Sequence, residues 1–553
     1  MNPIGNISEN LRFLISEVSL QISYLQSYLK TPSLRIAKQI LDRSGYTYNL
    51  KTRIQTECDQ LRKNNKQARL FNEKLKVLEM VAVDIDLLTK LCRSSVEIVE
   101  QSREDGEPYR CLFCKKFHFM LAQVNLQIDK IEISIYENNT KQALKIGAIE
   151  KLFKKLNKKL QKELLKKLKH KKQARTFMRS LSLLNTLTQM GSALLSISET
   201  ILSANLGQTI STERYYSLKN ATEQWWGVAL KDIEVKTIAQ TRSGSAISGI
   251  NTDKSNMSNE GSYDAIFKDG KKQKLKEEKQ SVESWHNIFP GLAPKIINYK
   301  KQGDSAAILI EHLPGLTYEQ ILLHESKDLL EKAQIHLRKT LKKIWRQTSS
   351  PKKISAGYIL QLKKRLNNVY ALHPEFVQVE SFICSYKIPD FQTLLKQAII
   401  FEEKYAKAPF SVYIHGDFNV DNIIYDPLEE KINFIDLHRS QYMDYVQDIS
   451  VFMVSHYRLQ ALAPSLRKRI LKTSTEFYQF SHKFALKVND ETFNLRLALA
   501  LARSFLTSTR FILDKTLSQN MYIRARYLIE QVLLTKPNKI KNFQLPINDI
   551  FTG

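Results

Sequence analysis

From Ile7 to about Leu206 the chain carries long helical periodicity, with almost no proline after Pro32. A stretch of that length without interior breakers is confined to packed helices. Its blocks are NISENLRFLISEVSLQISYLQSYL, SLRIAKQILDRSGYTYNLKTRIQTECDQL, NEKLKVLEMVAVDIDLLTKLCRSSVEIV, YRCLFCKKFHFMLAQVNLQIDKIEISIY, TKQALKIGAIEKLFKKLNKKLQKELLKKL and ARTFMRSLSLLNTLTQMGSALLSISETIL. Six long helices with short polar joints predict a bundle. The blocks repeat: TPSLRIAKQILDRSGYTYNLKTRIQ and NNTKQALKIGAIEKLFKKLNKKLQ both open on a polar turn and an Ala-containing helix start, and each is followed by another long apolar helix. Two three-helix units of similar plan are expected.

The formal net charge of +28 on 553 residues draws polyanions or anionic membrane surfaces without specifying one. Much of the excess is Lys-rich surface, which argues against a nucleic-acid partner. In EKLFKKLNKKLQKELLKKLKHKK, Leu152, Leu156, Leu160, Leu164 and Leu168 form one stripe under lysines. That is either a solvated outer bundle face or a docking face for an anionic membrane surface or an acidic protein partner. The five cysteines are odd in number and scattered, so a disulfide framework is not expected and a reducing compartment is favoured. CLFCKKFH brings Cys111, Cys114 and His118 together without a fourth ligand, which favours packing over zinc. The first residues lack a basic start and a small-residue cleavage site, so no signal peptide is read. SLSLLNTLTQMGSALLSIS is long enough to span a bilayer, but about half of it is Ser, Thr, Asn or Gln, and a buried bundle helix is the better reading.

After Gly207 a short helical stretch, TERYYSLKNATEQWWGVAL, leads to the strand-like IEVKTIA, the small-residue loop TRSGSAISGINTDKSNMSNEGS and the strand-like DAIFK. Long helices resume from Gln320 and are interrupted around His415. A strand-rich lobe followed by a larger helical lobe is the implied order.

Within that second lobe, HGDFNVDN lies between the apolar runs VYI and IIY. Phosphoryl transfer from ATP needs a carboxylate beside the attacking hydroxyl, metal ligands bridging the phosphates and a cation on them. Asp417 and Asn422 have the Asp, four residues, Asn spacing of a kinase catalytic loop, and Asp436 follows the apolar run INFI. IIYDPLEEKINFID reads as strand, Asp-Pro turn, strand, which puts Asn422 and Asp436 at one end of a hairpin, within reach of one magnesium site.

These residues resemble the aminoglycoside phosphotransferase and choline kinase family, which has a protein-kinase-like fold. Its HGDxxxxN signature is matched by His415, Gly416, Asp417 and Asn422, and its Ile-Asp with a later Asp by Asp436 and Asp448. The resemblance implies Asp417 as the base or hydroxyl-orienting residue, Asn422 and Asp436 as magnesium ligands, and His415 and Asp448 as supports of the catalytic loop. The usual Trp and Glu after the metal-binding Asp are Leu437 and His438 here, and a common Gly before Asp444 is Met443. These departures bear on the acceptor more than on the chemistry.

For the first lobe the same resemblance implies a phosphate cradle in SGSAISG, with Gly244 and Ser245 approaching the nucleotide. It also implies a third-strand lysine, Lys268 of DAIFK, paired with Glu278 or Glu277, and a hinge whose backbone from Glu311 to Leu313 holds the adenine. Taken singly, SGSAISG reads as a flexible linker, and Lys268 and Glu278 as solvated charges. The helical part resembles the PhoU family, whose members are paired three-helix bundles associated with phosphate signalling. The stretches comparable to that family's metal-binding helices, LLTKLCRSSVEIV and NTLTQMGSALLSI, depart from its acidic pattern; Asp84 and Asp86 lie upstream of the expected place.

The expected architecture is therefore an all-α bundle of two three-helix units at 1–206, a linker helix at 207–231, and an α+β bilobal protein-kinase-like domain. Its nucleotide-binding lobe is expected at 232–318 and its catalytic and acceptor-binding lobe at 319–553. The expected activity is phosphotransfer from ATP with Mg2+ to a hydroxyl of a small molecule, in a cytoplasmic protein with a PhoU-like regulatory or docking module. The alternative is a non-catalytic nucleotide-binding pseudokinase that senses phosphate or energy status. The short interval between Asp436 and Asp448 leaves no clear activation segment, which favours a small acceptor over a protein. The choice between ATP and GTP is open.

Overall fold

The computed structural model describes residues 5–64, 69–104, 112–167, 174–206, 210–226, 234–240, 246–251, 263–302, 305–461 and 463–552. The chain divides into two compact units, Met1–Ala239 with Ser248–Asn256, and Gln240–Ile247 with Met257–Gly553.

The first unit is helical: α1 (Gly5–Lys30), α2 (Leu34–Leu41), α3 (Ser44–Asn64), α4 (Arg69–Glu104), α5 (Cys114–Ile128), α6 (Ile131–Tyr136), α7 (Thr140–Lys167), α8 (Ala174–Leu206) and α9 (Thr212–Trp226). Leu11, Leu14, Val18, Ile22 and Leu25 recur at helical spacing and are fully buried, so α1 packs on α3 and α4 through one apolar stripe. α7 and α5 pack on α8, and α8 also lies against α4. The uncharged run in α8 is buried along one face, with Ser182, Asn185, Gln189 and Ser192 exposed, and hydroxyls on the buried face bond backbone carbonyls: Thr186 Oγ1 donates to Ser182 O at 3.0 Å and Ser198 Oγ to Ala143 O at 2.6 Å. No helix among the described residues is long and apolar enough to cross a membrane.

Two of the expected long helices are each broken in two. The second block splits at Asp42 and Arg43, where the sequence runs into Ser-Gly; Ser33 Oγ caps α2, and the break brings Arg43 Nη1 to 3.1 Å from the buried carboxylate of Glu17. The fourth block splits at Asp129 and Lys130. On α7, Leu160 and Leu164 are buried and Leu152 and Leu156 half-buried, while Lys151, Lys154, Lys155, Lys158, Lys159 and Lys162 are exposed; Leu168 lies outside the described residues. Cys58 and Cys92 are buried thiols and Cys384 an exposed one, but Cys114 is disulfide-bonded, against the expectation of reduced cysteines. Pairing depends on where two Cβ atoms meet, which an odd count does not reveal.

Strands β1 (Glu234–Gln240) and β2 (Ala246–Asn251) come next. The second lies inside the segment expected as a loop: Ile247 and Ile250 bring β-branched side chains to it, and Ser248 is buried, accepting from Arg214 Nη2 at 2.8 Å.

In the second unit β3 (Ala265–Lys271) is followed by α10 (Lys272–Ile288), β4 (Ile296–Gln302) and β5 (Ser305–Glu311). β5 pairs antiparallel with both β3 and β4. α10 covers the sheet, with Leu275 packed among Ala306, Ile308 and Ile310. After β6 (Leu316–Thr317) come α11 (Tyr318–His324), started by a capping box of Thr317 and Gln320, then α12 (Lys327–Gln347) and α13 (Tyr358–Leu372). The hairpin β7 (Ser381–Ile383) and β8 (Tyr386–Ile388) precedes α14 (Phe391–Tyr405) and β9 (Val412–Ile414). The chain continues through β10 (Ile423–Asp426), β11 (Lys431–Phe434), β12 (Gln441–Met443), α15 (Val446–Tyr457), α16 (Pro464–Lys487), α17 (Phe493–Ser508) and α18 (Lys515–Leu533). α15 and α17 pack on each other, and one continuous apolar core joins Trp285 and Trp345 to Phe452, Leu497 and Leu501.

Candidate active site

β9 is buried on both faces and pairs with β12, and β10 pairs with β11, so the loop His415–Asn422 is held at both ends by strands. Gly416 has φ 83°, and a Cβ there would collide with the carbonyl of Arg439, so only glycine fits between the two arms. Asp448, in the first turn of α15, clamps the loop: its Oδ2 accepts from His415 N and its Oδ1 from Gly416 N, both at 2.8 Å. Burial pushes the Asp448 carboxyl up to about 7 against the pull of those two bonds.

His415 is also buried, and burial lowers its pKa, which favours a neutral ring. Nε2 lies 2.9 Å from Ile435 O and Nδ1 accepts from Asp417 N at 3.3 Å, a pattern that fits the Nε2–H tautomer. With both nitrogens engaged by backbone, the ring joins the loop to β11. Ser440 Oγ donates to His415 O at 3.2 Å and accepts from Trp285 Nε1 at 2.9 Å, which ties α10 to the same loop.

The Asp417 carboxylate is partly exposed. Its Oδ1 accepts from Asn419 Nδ2 at 3.1 Å and its Oδ2 lies 3.2 Å from Arg439 Nη1. Asn422 donates Nδ2 to Asp417 O at 2.8 Å, which leaves its amide oxygen as the atom available to a cation. Ile435 N donates to Asn422 O at 3.0 Å, and Ile423 faces Phe434, so the β10–β11 pairing brings Asn422 and Asp436 to one end of the hairpin. Asp436 has φ 59°, a left-handed conformation that Asp tolerates and that recurs where strain is held at functional positions.

Lys268 of β3 is buried, 2.6 Å from Glu278 Oε1 of α10 and 3.6 Å from Asp436 Oδ1. Burial opposes the charge on Lys268, but the two carboxylates outweigh it and raise its pKa. Asp436 also lies 3.3 Å from His438 Nδ1; burial works against its charge, and His438 and Lys268 together hold it well below the usual carboxylate range. Glu278 is thus the partner of Lys268, whereas Glu277 bonds Gln273 on the exposed face of α10.

Glu311 closes β5, its backbone N bonded to Lys295 O at 2.9 Å and its Oε2 accepting from Lys295 N at 3.0 Å; Leu313 follows, half-buried. Gly244 and Ser245 lie outside the described residues.

Sequence reasoning missed the other wall of the site. A cavity of about 400 Å³ opens beside Asp417, lined by Arg365, Arg439 and Arg503 together with Gln361, Gln441 and Gln447. Arg439 stands three residues after Asp436, close enough to the motif to have been noticed. Arg365 and Arg503 lie on α13 and α17 in no motif, and nothing in the sequence marks them.

A lysine and glutamate pair, a carboxylate on a braced loop, and an Asn and Asp at a hairpin end are the kinds of group that phosphoryl transfer calls for. Residues 266–475 match the model of the phosphotransferase enzyme family. No curated protein matches the chain. Among solved structures the chain is similar to PhoU from Pseudomonas aeruginosa at 14% identity, covering 37% of this chain and 98% of that one with a TM-score of 0.35. It is also similar to an aminoglycoside-3'-phosphotransferase of type VIII at 14% identity, covering 54% and 98% with a TM-score of 0.33. A Plasmodium vivax ethanolamine kinase is similar at 13% identity, covering 60% and 92% with a TM-score of 0.32.

Proposed function

We propose that the second unit transfers the γ-phosphoryl group of ATP to a hydroxyl of a small molecule. The observation that carries this reading is the convergence of Lys268, Glu278 and Asp436 within bonding distance, beside a loop that holds Asp417 and Asn422. In the proposed reaction the acceptor oxygen forms a bond to the γ-phosphorus while the bond from that phosphorus to the β–γ bridging oxygen breaks. ADP leaves, and the hydroxyl proton passes to Asp417. Asn419 and Arg439 orient that carboxylate, and Lys268, itself positioned by Glu278, neutralises phosphate charge.

The donor set fits magnesium: one amide oxygen and one carboxylate are hard ligands, and this ion takes its remaining positions from phosphate and water. When bound, it neutralises charge on the phosphates. Asn422 and Asp436 are the residues that would hold it, and the depressed Asp436 pKa keeps that carboxylate ionised.

In this reading the helical region is a PhoU-like regulatory or docking module of two three-helix units, α1, α3 and α4 forming one and α5, α7 and α8 the other. The exposed lysines of α7 would dock it on an anionic membrane surface or an acidic protein, and the protein works in the cytoplasm.

Asp417→Ala should abolish turnover on hydroxylated acceptors while nucleotide affinity holds, and Asp436→Ala should weaken Mg-nucleotide binding. Full activity in both variants contradicts the assignment. The sensor reading draws on the Arg439 ion pair that occupies Asp417 Oδ2; tight nucleotide binding without turnover on any acceptor would favour it.

A further inference from the structure

The cavity beside Asp417 carries charge of one sign. Arg365, Arg439 and Arg503 line it, and Asp417 is its single carboxylate among the described lining residues. Arg503 is the telling one. Its residue exposure is 6%, and its Nε and Nη2 make no hydrogen bond, a costly arrangement for a buried guanidinium. Asp417 shares the cavity and favours the charge without bonding Nε or Nη2, and the oxygens of two buried acids that also feel the guanidinium are spent elsewhere. Asp448 accepts from His415 N and Gly416 N, and Glu402 of α14 accepts from Tyr358 N and Ile359 N at 2.6 and 2.9 Å. The guanidinium lies 5.7 Å from the centre of the Tyr358 ring, a weaker partner than a carboxylate. Burial, with Arg365 and Arg439 adding to it, brings the Arg503 pKa down only to about 10, so it remains charged at neutral pH. Gln447 Oε1 is also buried without a partner.

A cationic acceptor entering this cavity meets three guanidiniums. An anionic one meets the Nε and Nη2 donors of Arg503, which have no other partner. We propose that the phosphoryl acceptor is a hydroxylated small molecule bearing a carboxylate or phosphate monoester, held through that anion by Arg503 and Arg365 with its hydroxyl toward Asp417. The inference rests on the phosphotransferase reading and names its substrate class.

The test assays the full chain with Mg-ATP against three acceptor panels: sugar acids and hydroxy acids, sugar monophosphates, and cationic amino sugars with amino alcohols. Turnover is expected on one of the first two panels, and which of them responds decides between carboxylate and phosphate. Arg503→Met should raise the acceptor KM roughly 10- to 100-fold, as loss of a charge-assisted bond does, with the nucleotide KM unchanged. Arg365→Met, at a half-buried position, makes the same test if the Arg503 variant does not fold.

Turnover confined to the cationic panel overturns the inference and leaves the phosphotransferase reading standing. An unchanged acceptor KM in a folded arginine variant overturns it as well. If no panel turns over, calorimetry with the same sugar acids and sugar monophosphates separates the two readings. Binding that Arg365→Met abolishes keeps the ligand class and removes the transfer step, whereas no binding removes the ligand class.

Discussion

Two arginines two turns apart on α17 are both buried, yet their surroundings differ in kind. Arg496 sits between two carboxylates, with Nη1 on Asp444 and Nη2 on Asp490, and Nε donates to Thr492 Oγ1 at 3.1 Å. Tyr358 and Tyr445 extend the network by donating to the same acids at 3.0 and 2.8 Å. Arg503 has no such cage and faces the cavity beside Asp417. One helix therefore buries a satisfied charge that locks the fold and an unsatisfied one that awaits a ligand. The lesson is that burial of a charge does not reveal its role; the partners do.

This comparison divides the unit into groups whose loss costs stability and groups whose loss costs turnover. The largest effect is expected at the reacting end: Asp417→Ala should lower kcat by roughly 10²- to 10⁴-fold while the unfolding midpoint barely moves, measured by coupled assay and thermal denaturation on the same preparation. A matching fall in stability would erase the distinction. Arg496→Met should cost about 3–5 kcal/mol in chemical denaturation, because it strands Asp444 and Asp490 without their counter-charge.

A pH series sharpens the same point. Burial raises the Glu402 carboxyl from 4.5 to about 7, outweighing two backbone hydrogen bonds. The fold thus favours the protonated form. Its contribution is full below about 4.5 and is lost as pH rises through about 7, a fall of up to roughly 3 kcal/mol. Asp448 acts in the same direction between 3.8 and about 7. Glu402→Gln should flatten part of that slope in denaturation curves from pH 4 to 8, and an unchanged slope would remove Glu402 from the account. The smallest effect is expected at Arg503, where Met should change stability by less than about 1 kcal/mol or raise it, since a buried charge with few partners is replaced by an apolar chain of similar length. A loss as large as that of Arg496→Met would show that the two arginines are alike.

What could be read from the sequence follows from how local each signal is. HGDFNVDN and the Ile-Asp after it flank adjacent strands joined by a tight turn, so spacing alone placed Asn422 and Asp436 together. Asp448 was reached through the family resemblance, and it stands in the first turn of α15. Lys268 and Glu278 gained meaning only from their order, because a lysine in a highly charged stretch is ordinarily solvated, and the structure buries both. The helical unit was visible in its periodicity, but the break at Asp42 was not, since helical spacing continues through it and the contact of Arg43 with Glu17 forms only on packing. The arginine wall was hidden most deeply. Arg365, Arg439 and Arg503 come from three separated segments, and their common feature, the cavity, exists only after packing.

The most direct test of the central claim is phosphorus NMR of the full-length protein with Mg-ATP and pooled hydroxylated acceptors, beside Asp417→Ala. The account predicts a new phosphomonoester resonance that grows as ADP appears and is absent with the variant. The same resonance growing at the same rate with Asp417→Ala would contradict it.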